Sequence, residues 1–145
     1  MTNTIGFKDL AALVGAVDSP EGFTPVARYY SGMDFVLYLN KDCSYRADRV
    51  DEFLTLLWHP TEDNLVGVKL KGFRCLFQAI KKVLDFKETD FVPLVKALEL
   101  AMFGGLASRI MNHQEQKRKR ELYNRAIALT KDVNLPPEEL FKIAA

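Results

Sequence analysis

The strongest chemical signal in the sequence is a row of four basic residues: Lys117, Arg118, Lys119 and Arg120. Lysine and arginine bind the phosphates of nucleic acids, so the segment 115–130 is a candidate nucleic-acid-binding helix. Successive side chains of a helix point about 100° apart, and four in a row therefore cannot form one face. Glu115 stands four residues before Lys119, an order that favours an ion pair within the helix.

The same helix has a simpler interpretation, in which the charges only keep one side of it in water. No aromatic residue is interleaved in the row, so Tyr123 would be the one platform for base stacking. We therefore favour a solvated helix face and keep nucleic-acid binding as the alternative. That alternative depends on four side chains: Lys117, Arg118, Arg120 and Arg125.

A second group of candidate residues lies in the segment HPTEDN, where His59 is followed by Glu62 and Asp63. An imidazole and two carboxylates can bind a metal ion or transfer protons, which would suit a small metal-dependent hydrolase. Proline, aspartate and asparagine are also what a β-turn requires, and we favour the turn. We assign no catalytic residue, metal or cofactor, and the sequence favours a protein that is not an enzyme.

Further carboxylates, Asp48, Asp51 and Glu52, precede an apolar segment. Carboxylates that converge can hold Mg²⁺. Arg46 and Arg49 lie within reach of them, so we expect cross-strand ion pairs in place of a metal site.

The two cysteines, Cys43 and Cys75, lie far apart and form no metal or redox motif, which favours reduced thiols in the cytoplasm. Cys75 is expected to pack beside the apolar stripe of a helix. The N-terminal residues lack the pattern of a signal peptide, and charges interrupt the apolar stretch 91–111. We predict a cytoplasmic protein that does not bind membranes.

The length of 145 residues and a hydrophobic content of 48% predict one globular domain, 1–145. Its first part, 1–72, has a net charge of −3, and its second part, 73–145, has +4. This asymmetry is smaller than that of a dedicated nucleic-acid-binding protein.

The elements of the first part are a short helix and a β-meander. Apolar residues at helical spacing begin the chain: Leu10, Leu13, Val14 and Val17. Pro25 then keeps the chain extended. A small antiparallel meander of three or four strands follows over 34–71. Its predicted strands are Phe35–Leu39, a weaker Tyr45–Val50, Phe53–Trp58 and Leu65–Lys71.

The second part is predicted to be helical, which makes the fold α+β. An amphipathic helix over 73–85 should cover the sheet, and its stripe includes Phe73, Leu76, Phe77 and Ile80. A second helix has Pro93 in its first turn and ends or bends at Gly104 and Gly105. A third carries Leu122, Ala126 and Leu129, and Pro136 and Pro137 open a last short helix.

Residues 34–73 resemble short, uncharacterised bacterial β-meander domains of unknown function. Leu65, Val66, Gly67 and Val68 carry the resemblance, together with Asp34, Leu37 and Tyr38 in the first strand. The resemblance implies a fold fragment and supplies no catalytic residues.

The number of apolar stripes and aromatic residues exceeds what one small core can bury, so apolar surface is expected to face a partner. A symmetric dimer is the simplest way to cover that surface. The sequence therefore predicts a non-catalytic protein-interaction or regulatory module that self-associates. Nucleic-acid binding through helix 115–130 and metal-dependent hydrolysis at His59 are the alternatives.

Overall fold

The computed structural model describes residues 23–83, 91–107 and 112–144, which form a mixed α+β fold. Within these ranges the strands are β1 (Ala27–Tyr30), β2 (Phe35–Leu39), β3 (Arg46–Arg49), β4 (Leu54–Trp58), β5 (Leu65–Lys71), β6 (Val92–Pro93) and β7 (Asn134–Leu135). The helices are α1 (Phe73–Val83), α2 (Leu94–Ala107), α3 (His113–Leu129) and α4 (Pro137–Ala144).

The first five strands form one antiparallel sheet in the order β1-β2-β5-β4-β3. β3, β4 and β5 form the predicted meander, but β2 pairs with β5 and β3 lies at the far edge. The expected meander of three or four strands over 34–71 is thus corrected to a five-strand sheet that includes β1. Burial explains the order, because the apolar strand β2 lies beside the central strand, whereas the exposed sequence RADR of β3 suits an edge.

The core lies between one face of the sheet and the helices. Alternate residues of β2 and β5, such as Val36, Tyr38, Val68 and Leu70, are buried in it. The predicted stripe of α1 packs there too, since Phe73, Leu76, Phe77 and Ile80 are all buried. A helix laid on one face of an antiparallel sheet is the expected way to exclude water from both surfaces.

Asp34, at the turn between β1 and β2, fixes the start of α1. Its carbonyl oxygen accepts the backbone N–H of Gly72 at 3.0 Å, and its Oδ1 accepts that of Arg74 at 2.9 Å. Gly72 has a φ of 65°, a left-handed conformation that glycine adopts without strain. The helix predicted over 73–85 thus begins at the expected residue, Phe73.

α2 differs from expectation at both ends. Pro93 lies in the short strand β6, directly before the helix, and not in its first turn. The helix continues through Gly104 and Gly105 to Ala107. A helical glycine costs only about 1 kcal/mol relative to alanine, which packing of the buried Leu94 and Leu98 can offset.

The last two helices are present as predicted. α3 begins with a capping box, in which Asn112 accepts the backbone N–H of Glu115 and Glu115 accepts that of Asn112. α4 begins at Pro137. β6, which precedes α2, pairs with β7, which lies between α3 and α4, so the second part of the chain is not purely helical. The short helix expected near the N-terminus lies outside the described residues.

Of the helices that the structure describes, none is both long enough and apolar enough to span a bilayer.

Candidate functional site

The basic row of α3 divides into one interior cation and three surface cations. Lys119 is buried, while Lys117, Arg118 and Arg120 are exposed. The predicted ion pair between Glu115 and Lys119 is wrong: Glu115 caps the helix, and the Lys119 ammonium instead lies 2.9 Å from a carboxylate oxygen of Asp51. One of four successive helical residues must face inward when the helix packs on a core, and here it is Lys119.

Asp51, in the turn between β3 and β4, is the centre of a buried polar network. Its Oδ1 accepts the backbone N–H groups of Phe53 at 2.9 Å and Leu54 at 2.8 Å. The Tyr123 hydroxyl donates to the same carboxylate at 2.9 Å from Oδ2. Lys119 completes the network, and its Nζ has no acceptor other than this carboxylate among the described residues.

The network joins α3 to the sheet and is closed to solvent. Asp51 and Lys119 are each 6% exposed and Tyr123 is fully buried. Burial raises the pKa of the Asp51 carboxyl, but the surrounding donors outweigh burial and hold the pKa below its ordinary value. Burial and the Asp51 charge raise the pKa of Tyr123 far above its ordinary value. Two backbone N–H groups, one hydroxyl and one ammonium thus surround the Asp51 carboxylate, and the network positions α3 against the sheet.

The lowered pKa of Asp51 predicts a loss of stability in acid. An aspartate whose folded pKa lies below its unfolded value of about 3.9 stabilises the fold above that pH, and the contribution is lost as the pH falls through the folded pKa. Urea unfolding at pH values from about 7 to 2 should therefore show that the unfolding free energy falls more steeply with decreasing pH for the wild type than for Asp51→Asn. If the unfolding free energies of the two proteins fell in parallel with pH, the ionised Asp51 would not be the stabilising group.

Arg125, the fourth candidate for phosphate binding, is engaged at the edge of the core. Its guanidinium lies 5.1 Å from the ring centroid of Trp58, and that of Arg46 lies 5.7 Å from the same ring. Trp58 is only 5% exposed, so the two arginines cover its ring by cation–π contacts. Arg46 was expected to form an ion pair with nearby carboxylates, but the structure places its guanidinium over the Trp58 ring.

The structure places His59, Glu62 and Asp63 in the turn between β4 and β5. His59 Nδ1 accepts the backbone N–H groups of Thr61 and Glu62, each at 3.2 Å. Glu62 Oε1 accepts the side-chain amide of Asn64 at 3.0 Å. These are the bonds of a turn, and no three His, Cys, Asp or Glu side chains of the described residues converge as metal ligands would.

The cysteines are both free. Cys43 is half-buried in the connection between β2 and β3. Cys75 is exposed on α1, so the expectation that it packs beside the apolar stripe is wrong.

The surface with the most distinctive chemistry is the side of the sheet opposite the helices. Alternation along the strands directs Arg28, Tyr30, Phe35, Leu37, Lys69 and Lys71 to this side, since their neighbours face the core. We call these six residues the outer face. They lie on β1, β2 and β5, where all six are exposed or half-buried. On β4 the corresponding Thr55 and Leu57 are buried.

Strand register arranges the outer face in two rows across the sheet. Arg28 pairs with Leu37, and Leu37 pairs with Lys69. The next row is given by two pairs, Tyr30 with Phe35 and Phe35 with Lys71. Each row therefore carries apolar or aromatic side chains with a cation at one or both ends.

The rings and cations of the outer face contact one another. Tyr30 and Phe35 stack with their centroids 5.0 Å apart, and Lys69 Nζ lies 4.2 Å from the Phe35 centroid. No outward position of the described strands holds a carboxylate. Asp34 adds none, because its side chain accepts the Tyr29 hydroxyl on the helix side at 2.7 Å. The outer face is therefore positive.

The edges of the sheet are less suited to a partner. At β1 the backbone N–H of Tyr29 donates to Glu139 Oε1 of α4 at 2.9 Å. At β3 the exposed arginines Arg46 and Arg49 oppose addition of another strand.

No protein-family model, no curated protein and no solved structure matches this chain.

The sequence contains a signal for part of the outer face, although it is not a row of basic residues. The alternation in LVGVKLK predicts that Lys69 and Lys71 leave the core, and this is confirmed. Tyr30 and Phe35 come together only through the β1–β2 hairpin, and β1 was expected only as extended chain. Arg28 lies far from Lys69 and Lys71 in the chain, and the three cations of the outer face therefore form no basic row in the sequence.

Proposed function

We propose that the protein is a non-catalytic binding module whose docking surface is the outer face of its sheet. The observation that supports this proposal is the stacked Tyr30–Phe35 pair beside Arg28, Lys69 and Lys71, on a face without carboxylates. Aromatic and cationic side chains are the groups that most often anchor partners at protein surfaces. Packing of the core does not require these side chains to lie partly open to water.

The outer face suits this role better than the basic row of α3. Of the five cations over 115–130, Lys119 is buried against Asp51, and Arg125, although exposed, lies over the ring of Trp58. The three exposed cations of the row have no exposed Phe, Tyr or Trp beside them on α3, because Tyr123 is buried. The solvated-face interpretation of α3 thus gains support, because Arg125, one of the four candidate phosphate contacts, is engaged with Trp58.

Self-association and a cytoplasmic location belong to the same proposal. Large apolar side chains other than those of the outer face are exposed at Met33, Phe91 and Phe103, and a second copy is a simple way to cover them. The two free cysteines accord with a reducing compartment.

A photoreactive side chain at position 37 tests the docking surface directly. We expect the purified variant, irradiated in extract of the cells that produce the protein, to form a covalent adduct that is absent when the probe replaces Asn124, which is exposed on α3. The difference arises because Leu37 lies at the middle of the outer face. Denaturing electrophoresis detects the adduct, and nuclease treatment decides whether the cross-linked partner is a nucleic acid.

An adduct of twice the chain mass from purified protein alone would show that a second copy occupies the face. Equal labelling at positions 37 and 124, or labelling at 124 alone, would overturn the proposed surface.

A further inference from the structure

We infer that the outer face binds single-stranded nucleic acid, with Tyr30 stacking on a base and Arg28, Lys69 and Lys71 contacting phosphates. This inference rests on the proposed function, since it names the partner of the same surface. It moves the nucleic-acid site from the basic row of α3 to the opposite side of the molecule.

The aromatic pair supplies the stacking platform. Phe35 is held between Tyr30, at 5.0 Å, and the Lys69 ammonium, at 4.2 Å. Tyr30 is 43% exposed, so part of its ring is open to a further planar group. Stacking of a base on an aromatic side chain is tolerant of sequence because every base has a π-face.

A groove continues from this ring along β1 and β2. It has a volume of about 600 Å³, and its lining includes Val26, Tyr30, Leu37 and Leu39, with Arg28 as the charged residue. A volume of this size lies within the range of sites that hold small organic groups in proteins. The groove therefore offers an apolar wall to a base and a guanidinium to its phosphate.

The cations lie on both sides of the apolar strip. Arg28 and Lys69 are at opposite ends of one row, two strands apart, or roughly 10 Å at the usual strand spacing. Lys71 lies two residues along β5 from Lys69, about 6.6 Å away at the usual rise. A chain that alternates planar bases with phosphates can contact rings and cations together.

Other partners match the face less well. A symmetric second copy would bring Arg28, Lys69 and Lys71 against their own like charges. An acidic peptide matches the cations but leaves Tyr30 without a planar group. A duplex hides its bases inside the stack, so it too leaves the ring unused.

The test is fluorescence anisotropy with labelled oligouridine and oligothymidine of about twelve nucleotides, and with a duplex of equal length. Three phosphate contacts predict that affinity for a single strand falls about 20-fold between roughly 50 and 200 mM salt. Tyr30→Ala should weaken binding about tenfold at either salt concentration, since it removes one stacked base. The double variant Lys69→Gln/Lys71→Gln should flatten the salt dependence.

The matched control is Lys117→Gln/Arg118→Gln, which removes two charges from α3 and should change affinity by less than about twofold. Circular dichroism melting confirms that each variant is folded. Loss of binding in the α3 variant and none in the outer-face variants would overturn the inference. So would equal binding of polyglutamate, or no binding of either oligonucleotide at low salt. A nuclease-resistant adduct at position 37 would refute nucleic acid and retain the docking surface.

Discussion

Replacing Asp51 by asparagine is expected to lower the unfolding free energy by about 3–5 kcal/mol. Asparagine retains an oxygen for the backbone N–H groups of Phe53 and Leu54. It removes the charge that faces Lys119, a residue only 6% exposed whose buried ammonium has no other acceptor among the described residues. An unpaired buried charge costs more than the lost contact itself. Urea unfolding followed by circular dichroism gives the measurement.

A substitution of Lys119 distinguishes the cost of an unpaired buried charge from the cost of lost packing. Lys119→Met should cost clearly less, about 1–2 kcal/mol, because Asp51 keeps its backbone donors and the Tyr123 hydroxyl. The double variant, Asp51→Asn with Lys119→Met, should then be more stable than Asp51→Asn alone. If Asp51→Asn cost no more than Lys119→Met, the pair would not be the buried charge contact described above.

This network marks a limit of what the sequence predicts. The periodicity of α3 correctly predicted a helix with Leu122, Ala126 and Leu129 towards the protein, where Ala126 is buried and the two leucines are half-buried. Lys119 looked like one more member of a solvated row. Its burial depends on Asp51, and the hydrogen bond from Tyr123 to that carboxylate spans 72 residues of sequence. Charge patterns within a helix carry no information about such a distant partner.

Hydrophobic periodicity correctly predicted the elements in which it alone specifies the buried face. The alternation of β5 and the helical spacing of α1 each specify one buried face, and both elements are present with that face inward. The order of strands was not predictable in the same way. β2 pairs with β5 and not with the next strand along the chain, a choice set by which apolar faces meet. The outer face, as a candidate site, follows from that pairing and was therefore missed.

The pairing of β2 with β5 leaves a second sensitive position, Gly67. It lies opposite Leu39 on β2 and Leu57 on β4. A Cβ added at Gly67 would collide with the carbonyl oxygen of Tyr38 and would lie 2.8 Å from Leu39 Cδ2. The leucine could change rotamer, but the carbonyl belongs to the backbone of a paired strand and cannot move alone.

Gly67→Ala is therefore expected to cost about 3 kcal/mol, because the two strands must separate locally to admit one methyl group. Two glycines serve as controls, since nothing lies within 4 Å of a Cβ at Gly32 or Gly104. Gly32→Ala should change stability by less than about 0.5 kcal/mol, and Gly104→Ala should raise it by up to about 1 kcal/mol through helix propensity. Thermal and urea unfolding of the three variants would give the order. A Gly67→Ala protein as stable as Gly32→Ala would mean that β2 and β5 do not approach as closely at this point. Because Gly67 lies on the same side of the sheet as Leu37, such a result would also alter the surface on which the docking proposal depends.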